Sequence, residues 1–306
     1  MKSKQRFDPN THYAVLKMAK HPAANTDHVK RRFVDIPYAD QSAAQKLDIY
    51  LPDEGEGPFP VIMSIHGGGF MACDKSDDQV VPMLEGLSRG YAVVAVNYRL
   101  SWEAVFPALV FDVKAAVRWI RANAEQYRFD SERIAAWGGS AGGYLSLMLG
   151  VTAGIPSLED LSMGNPERPC HISAVIDWYG PTNFLKMDEH LTIGGLTPAQ
   201  GTEHSGANSP ESLLLGAKIT DMPDKVQAAS PETYLRDNAP PTLIQHGDID
   251  PVVAVQQSIE FAEKMKQVVG EENVILELIE GAEHEDPLFR TPENVNRVLD
   301  FLDQHL

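Results

Sequence analysis

Cysteine is nearly absent from this chain: Cys73 and Cys170 are the only two in 306 residues. That is too few for a disulfide framework, and the pair lacks the C-x-x-C spacing of a zinc or redox site. Positive charge is scarce as well. Lys and Arg number 26 against 43 Asp and Glu, a net charge of −17 with neutral His. Such a surface repels phosphate backbones and anionic bilayers, so neither nucleic-acid binding through a basic footprint nor attachment to a membrane is expected. Long apolar runs are missing, and none approaches the roughly 20 residues that span a bilayer. The start, Met1-Lys2-Ser3-Lys4-Gln5-Arg6, is cationic, but residues 7–20 mix Asp8, Pro9, Asn10, His12 and Lys17 among the apolar ones. No secretory signal is readable there, and a soluble cytoplasmic protein is the default expectation. Repeats and low-complexity tracts are also absent.

What the chain does have is a globular composition, 43% hydrophobic and 23% charged, with enough length to bury a large core. Short apolar or β-branched runs recur at Arg32–Ile36, Leu47–Leu51, Val61–His66, Ala92–Asn97, Ile134–Trp137, Ala174–Trp178, Thr242–Gln245 and Val274–Ile279. Several are continuously apolar, as suits strands covered on both faces. Between them the spacing predicts helices over Phe106–Tyr127, Ser140–Gly150, Val255–Val269 and Thr291–His305, the last with Thr291 as N-cap and Pro292 at the first helical position. Strand–helix alternation predicts an α/β fold. Residues 186–233 break the pattern with repeated Gly and Pro. A structureless loop of that length is unusual, so the segment is read as an inserted cap.

Two glycine-rich turns carry the chemistry. The strand ending at Trp137 runs into Gly138-Gly139-Ser140-Ala141-Gly142-Gly143 and then a helix. This is G-x-S-x-G in its strand, sharp turn, helix context, which presents Ser140 Oγ at the carboxyl edge of a sheet. Read structurally, the same residues are a glycine-rich turn with a capping Ser. The second turn, Ile65-His66-Gly67-Gly68-Gly69-Phe70, also follows a buried strand. Glycines there let backbone N–H groups approach a ligand closely. Gly68 and Gly69, with Ala141, are the candidate donors to an oxyanion. A phosphate-binding role fits poorly, because no Walker Lys follows and Asp74, Asp77 and Asp78 do.

A nucleophilic Ser needs a base, and the base needs an orienting acid. In this fold class the chain order is Ser, then acid, then His. The run Thr242–Gln245 leads into His246-Gly247-Asp248-Ile249-Asp250, and Val274–Ile279 leads into Glu280-Gly281-Ala282-Glu283-His284. His284 is the candidate base and Asp250 the acid, with Asp248 as a turn-stabilising decoy. His204 and His246 precede the acid and break the order, and His66 belongs to the oxyanion loop.

On these residues the chain resembles the feruloyl-esterase-like and hormone-sensitive-lipase-like bacterial carboxylesterases. Asn97-Tyr98-Arg99-Leu100-Ser101, Phe106-Pro107-Ala108, Trp178-Tyr179-Gly180-Pro181-Thr182 and Ala229-Ser230-Pro231 add to the similarity, which spans roughly residues 45–305. The resemblance implies an α/β-hydrolase fold over residues 1–306. Its sheet would be eight-stranded, mostly parallel and flanked by helices, with a cap at about 186–233. It further implies a serine hydrolase that cleaves small carboxylic esters without metal or cofactor. Ser140, Asp250 and His284 match the triad, and Gly68, Gly69 and Ala141 match the oxyanion hole. A homodimer is the family-level expectation for assembly.

Several positions depart from the family pattern. Trp102 stands where Pro is frequent, Met71-Ala72-Cys73 where small residues are usual, Ala254 for a common Pro, and Glu285-Asp286 where Gly follows the base. Gly139 replaces the acidic residue of the hormone-sensitive-lipase branch. Phe70 and Trp102 are candidate substrate-binding residues, Trp102 alternatively burying itself against the next helix. Glu285 and Asp286 either favour the imidazolium of His284 or form a solvated acidic turn. Cys73 is given no chemistry. The expected substrates are short-chain acyl, acetylated-sugar or hydroxycinnamoyl esters. An amidase, formamidase or peptidase using the same triad, and a non-catalytic small-molecule-binding protein of this fold, are the competing functions.

Overall fold

The computed structural model describes residues 21–196 and 202–306. The N-terminal stretch 1–20, and residues 197–201 with Pro198 and Gly201 of the expected cap, lie outside the described residues. All the strands expected from the sequence are present: β1 (Arg31–Pro37), β2 (Lys46–Leu51), β3 (Phe59–Ile65), β4 (Ala92–Val96), β5 (Phe129–Gly139), β6 (Ala174–Trp178), β7 (Thr242–Gly247) and β8 (Val274–Ile279). They form an eight-stranded sheet in the order β1-β2-β4-β3-β5-β6-β7-β8. β2 runs antiparallel to both its neighbours, and every other pairing is parallel.

The continuously apolar strands are explained by what covers them. Side chains alternate across a sheet. Val61, Met63 and Ile65 of β3, Val94 and Val96 of β4 and Ala136 of β5 enter one core. Ile62, Val93, Ala95, Ala135 and Trp137 enter the other. The helices are α1 (Val81–Leu84), α2 (Ala108–Ala122), α3 (Ala124–Tyr127), α4 (Ala141–Thr152), α5 (Met187–Ile193), α6 (Pro210–Leu215), α7 (Pro223–Ala229), α8 (Gln256–Val269) and α9 (Pro292–His305). α2, α4 and α8 cover the first face, and α1 and α9 the second. Both faces are therefore dry, which is why these strands carry no polar alternation. Thr291 caps α9 as expected, accepting from the Asn294 N–H, with Pro292 in the first turn.

The helix expected over Phe106–Tyr127 is shorter and broken. α2 begins only after the cis Phe106–Pro107 bond, ends at Asn123, and is followed by the single turn α3, which Arg128 closes in the left-handed region (φ 60°). The described part of 186–233 forms α5, α6, α7 and short 3-10 turns between β6 and β7. Leu214, Leu215, Ile219, Val226 and Ala229 from this insertion join the same core as α2 and α4. Polar anchors add to this: Tyr144 donates to the Ala229 carbonyl (2.7 Å) and Lys186 pairs with Glu260 of α8 (2.7 Å).

The sheet order places the site. β4 lies on one side of β3 and β5 on the other, so the chain changes direction between β3 and β5. Their register sets Ile65 beside Gly138, bringing both carboxyl ends to one level. Ligands in open α/β sheets bind in the crevice at such a switch point.

Candidate active site

Ser140 sits on the turn between β5 and α4 with φ 55° and ψ −121°. A residue with a Cβ is strained there, typically at a cost of about 1–3 kcal/mol. The turn is held because β3 and α4 are in close contact. A Cβ on Gly142 would lie 2.0 Å from the Ile65 carbonyl oxygen, and one on Gly138 would lie 2.4 Å from the Gly142 carbonyl carbon. Only glycine permits that approach. The Ser140 N–H donates to the Trp178 carbonyl (2.8 Å), so it is committed to the fold and is not part of an anion site. Of the two backbone groups at this helix start, the Ala141 N–H is the remaining candidate.

The loop after β3 faces this turn. Gly68 and Gly69 both have positive φ, 100° and 58°, and a Cβ on Gly68 would fall 2.4 Å from the Ala72 carbonyl oxygen. Three side chains fix the loop. Gln79 accepts from the Gly67 N–H (2.8 Å), and the Tyr98 hydroxyl donates to the His66 carbonyl (2.9 Å). His66 Nδ1 donates to the Gly67 carbonyl (2.9 Å), with its ring stacked on Tyr98. Burial pushes the His66 pKa down to about 4, so its imidazole is neutral and structural.

His284, on the loop after β8, reaches the turn from the far side. Its Nε2 accepts from the Ser140 hydroxyl at 3.0 Å, and its Nδ1 donates to Asp250 Oδ2 at 2.7 Å. The tautomer follows because an ionised carboxylate only accepts, so Nδ1 carries the proton. Asp250 Oδ1 accepts from the Val252 and Val253 N–H groups (2.8 and 2.9 Å). Its other oxygen also lies 3.3 Å from His246 Nε2, which donates to the Val253 carbonyl at 2.7 Å. Burial would raise the Asp250 pKa, but the facing imidazoles outweigh it and hold the carboxyl below its ordinary range. For His284, burial would lower the pKa, while the Asp250 carboxylate and then Glu285 outweigh it, leaving a net upward shift. Asp248 is a turn residue, as read from the sequence: its Oδ1 accepts from the Gly281 N–H (2.7 Å).

The two acidic residues after His284 divide. Glu285 has φ 59°, lies near His284, and approaches His21 Nε2 at 3.3 Å. Asp286 instead caps the turn Pro287–Arg290, accepting from the Leu288 N–H at 2.9 Å. Phe70 requires a correction. Its ring is 2% exposed and packs edge-on against Tyr144 and Phe184, so it supports the loop from the core and offers no open face to a ligand. The positive φ of Phe70 (64°) turns the side chain inward. Trp102 is not buried against the next helix. It is 60% exposed, on a turn that Ser101 ties to the Phe70 carbonyl through its N–H and hydroxyl (2.8 and 3.0 Å). Burial, helped by Asp77 and Glu285, pushes the Cys73 thiol up to about 12, leaving it a poor nucleophile.

Three contacts were missed by sequence reasoning. Tyr179 sets its ring edge-on to His284, with centroids 4.8 Å apart. His246 touches the same carboxylate as His284, a contact signalled only by its i, i+4 spacing from Asp250. His204, rejected for its place in the chain order, donates through Nε2 to the Val252 carbonyl (2.9 Å). Among the described residues no group of three or more His, Cys, Asp or Glu side chains could hold a metal ion, and no helix is long and apolar enough to cross a membrane.

The chain is similar to known esterases in sequence and fold. A carbohydrate esterase from gut microbiota, solved in truncated form, superposes with a TM-score of 0.81 at 28% identity, covering 93% of this chain and 99% of that one. A bifunctional GH43-CE protein of Bacteroides eggerthii superposes with a TM-score of 0.79 at 33% identity, over 90% of this chain and 38% of its own. "Probable carboxylic ester hydrolase LipM" of Mycobacterium tuberculosis is 31% identical over 80% of this chain and 54% of its own length. The chain thus spans about half the length of the curated relatives it matches first. The BD-FAE family profile matches residues 47–265, from β2 into α8 and across Ser140 and Asp250, and the chain belongs to that α/β-hydrolase family.

Proposed function

We propose that the chain is a serine carboxylesterase that cleaves small carboxylic esters through an acyl-enzyme on Ser140. The observation that carries this reading is the unbroken hydrogen-bonded chain from Ser140 through His284 to Asp250, set at the switch-point crevice beside the Gly68–Gly69 loop. The ester carbonyl oxygen faces the N–H groups of Gly68, Gly69 and Ala141, where charge develops in the transition state. His284 takes the Ser140 proton as Oγ attacks, and Asp250 holds the tautomer and stabilises the imidazolium. The imidazolium then protonates the departing alcohol, and water activated by the same ring releases the acid. Residues 186–233 act as the cap, and the exposed Trp102 lines the approach as an apolar platform for the acyl or alcohol group.

The substrate class is short-chain acyl, acetylated-sugar or hydroxycinnamoyl esters. The similarity to a carbohydrate esterase supports including sugar esters. Two measurements test the reading. A fluorophosphonate probe should label Ser140 and no other serine, and matched ester and amide substrates should be hydrolysed with the ester strongly preferred. An unlabelled Ser140 would leave a binding protein, and preference for the amide would leave an amidase.

The pH dependence of this chemistry has a definite sign. His284 acts only when neutral, so activity is lost as pH falls through its pKa, and whatever raises that pKa moves the acid limb upward. Glu285 acts in that direction, after Asp250. Glu285→Gln is therefore expected to move the acid limb of kcat/KM to lower pH, with little change in the plateau. Asp286→Asn, at the helical turn, should leave the limb in place. The paired pH–rate profiles check both.

A further inference from the structure

His204 lies in the insertion between β6 and β7, far from the triad in sequence, and its ring is 11% exposed. Both ring nitrogens face acceptors. Nε2 meets the Val252 carbonyl at 2.9 Å and Nδ1 meets Glu211 Oε1 at 3.1 Å. The carbonyl can only accept, so Nε2 carries a proton; facing an ionised Glu211 carboxylate, Nδ1 carries one as well, and the ring is an imidazolium. Burial would depress its pKa, but the Glu211 carboxylate outweighs it and the value stands at about 9. Asp188 of α5 fixes the backbone, accepting from the His204 and Ser205 N–H groups (both 2.8 Å).

The contact with Val252 has a specific consequence. The carbonyl of Val252 and the N–H of Val253 belong to one peptide group. His204 grips the oxygen end of that peptide, and Asp250 Oδ1 accepts from its nitrogen end at 2.9 Å. A cation on the carbonyl polarises the peptide and strengthens its N–H as a donor. The next carbonyl, that of Val253, is held by His246 at 2.7 Å. The acid loop is thus gripped by two histidines, one from the strand end and one from the insertion.

We propose that His204 is a positioning residue for the acid of the triad: an imidazolium supplied by the insertion and anchored by Glu211 clamps the Val252–Val253 peptide that holds the Asp250 carboxylate. The inference rests on Asp250 being that acid, and it gives the insertion a role in the chemistry beyond shaping the crevice. The surrounding charges are few. His204 faces Glu211 of α6 and Asp188 of α5, His284 faces Asp250, Glu285 and His204, and Asp250 faces His284 and His246. The positive charge of His204 opposes protonation of His284.

Two variants and two readouts test the clamp. Glu211→Gln keeps the shape: its amide can donate to a neutral His204 ring, and its oxygen can occupy the place of Oε2, which has no partner among the described residues. The paired change His204→Leu with Glu211→Met removes the clamp without leaving a buried charge alone, which is the arrangement least costly to folding. Titration by 15N NMR of the histidine rings should find one ring doubly protonated up to about pH 9 in the native protein. That signal should be lost in the paired variant and shifted to lower pH by Glu211→Gln. With p-nitrophenyl acetate, the paired variant should lose about ten- to a hundred-fold in kcat with KM little changed, the effect of a loosened catalytic group. Glu211→Gln should lose less kcat than the paired variant, because a neutral ring still holds the carbonyl but polarises it less, and should move the acid limb upward, as His284 loses a positive neighbour. A His204 ring that is neutral at pH 7, or a paired variant with native kcat and native pH profile, overturns the proposal. Neither result touches the esterase reading, which is tested separately on the native protein by fluorophosphonate labelling of Ser140 and by the matched ester and amide substrates.

Discussion

Alanine at position 140 is expected to lower kcat on any ester substrate by about a million-fold while leaving the protein folded. The loss is large because the acyl-enzyme has no other atom on which to form. What remains is rate enhancement over water from the oxyanion donors and binding alone. Folding should be spared for a local reason. The Ser140 hydroxyl bonds to His284 and does not cap α4, whose first turn has no side-chain cap. Alanine keeps a Cβ, so it meets the same backbone strain as serine and no new strain. Steady-state rates and thermal melts on one preparation check both halves, with loss of fluorophosphonate labelling as a third reading. Turnover comparable with the native protein would remove Ser140 from the mechanism.

Asparagine at position 250 should be nearly as damaging, with about a ten-thousand-fold loss in kcat. Its Oδ1 can still accept from Val252 and Val253, so the acid loop keeps its shape. The amide nitrogen, however, then faces His284 Nδ1 and donates to it. The ring proton moves to Nε2, where it points at Ser140 and blocks proton abstraction. A second signature separates this cause from simple disruption. The Asp250 charge is what holds the His284 pKa up against burial. Without it the acid limb of the residual activity should move to lower pH even as the plateau collapses. Asp248→Asn provides the control. An amide oxygen can replace the carboxylate in accepting from Gly281, so activity should change little. Reversed outcomes for the two positions would exchange the roles of Asp248 and Asp250.

The central strands were legible because each is an apolar run closed by Gly or a polar turn, and the outer β1 and β8 because β-branched and apolar residues recur in them between turn signals. The meeting of Ser140, Asp250 and His284 was legible because each follows a strand end, in the order the proposed chemistry requires. The remainder was hidden for physical reasons. The break at Asn123 and the left-handed Arg128 interrupt a helix whose apolar spacing runs through them without a Gly or Pro to mark the end. Phe70 looked like a pocket residue from its place beside three glycines. Its positive φ, invisible in the sequence, sends the ring between Tyr144 and Phe184. His204 meets Val252 across 48 positions of chain. No periodicity or motif announces a contact of that kind, and chain order argued against it. What could be read was local pattern; what could not was the docking of the insertion onto the acid loop.

The left-handed turn at residue 140 bears on how hardier forms of this protein should be sought. Glycine there would relax a conformation that costs serine about 1–3 kcal/mol, so the change would raise heat resistance and delete the reacting hydroxyl in one step. A library ranked by melting temperature alone would therefore enrich dead molecules at the top of its list. Any selection for robustness in this chain must score turnover beside endurance.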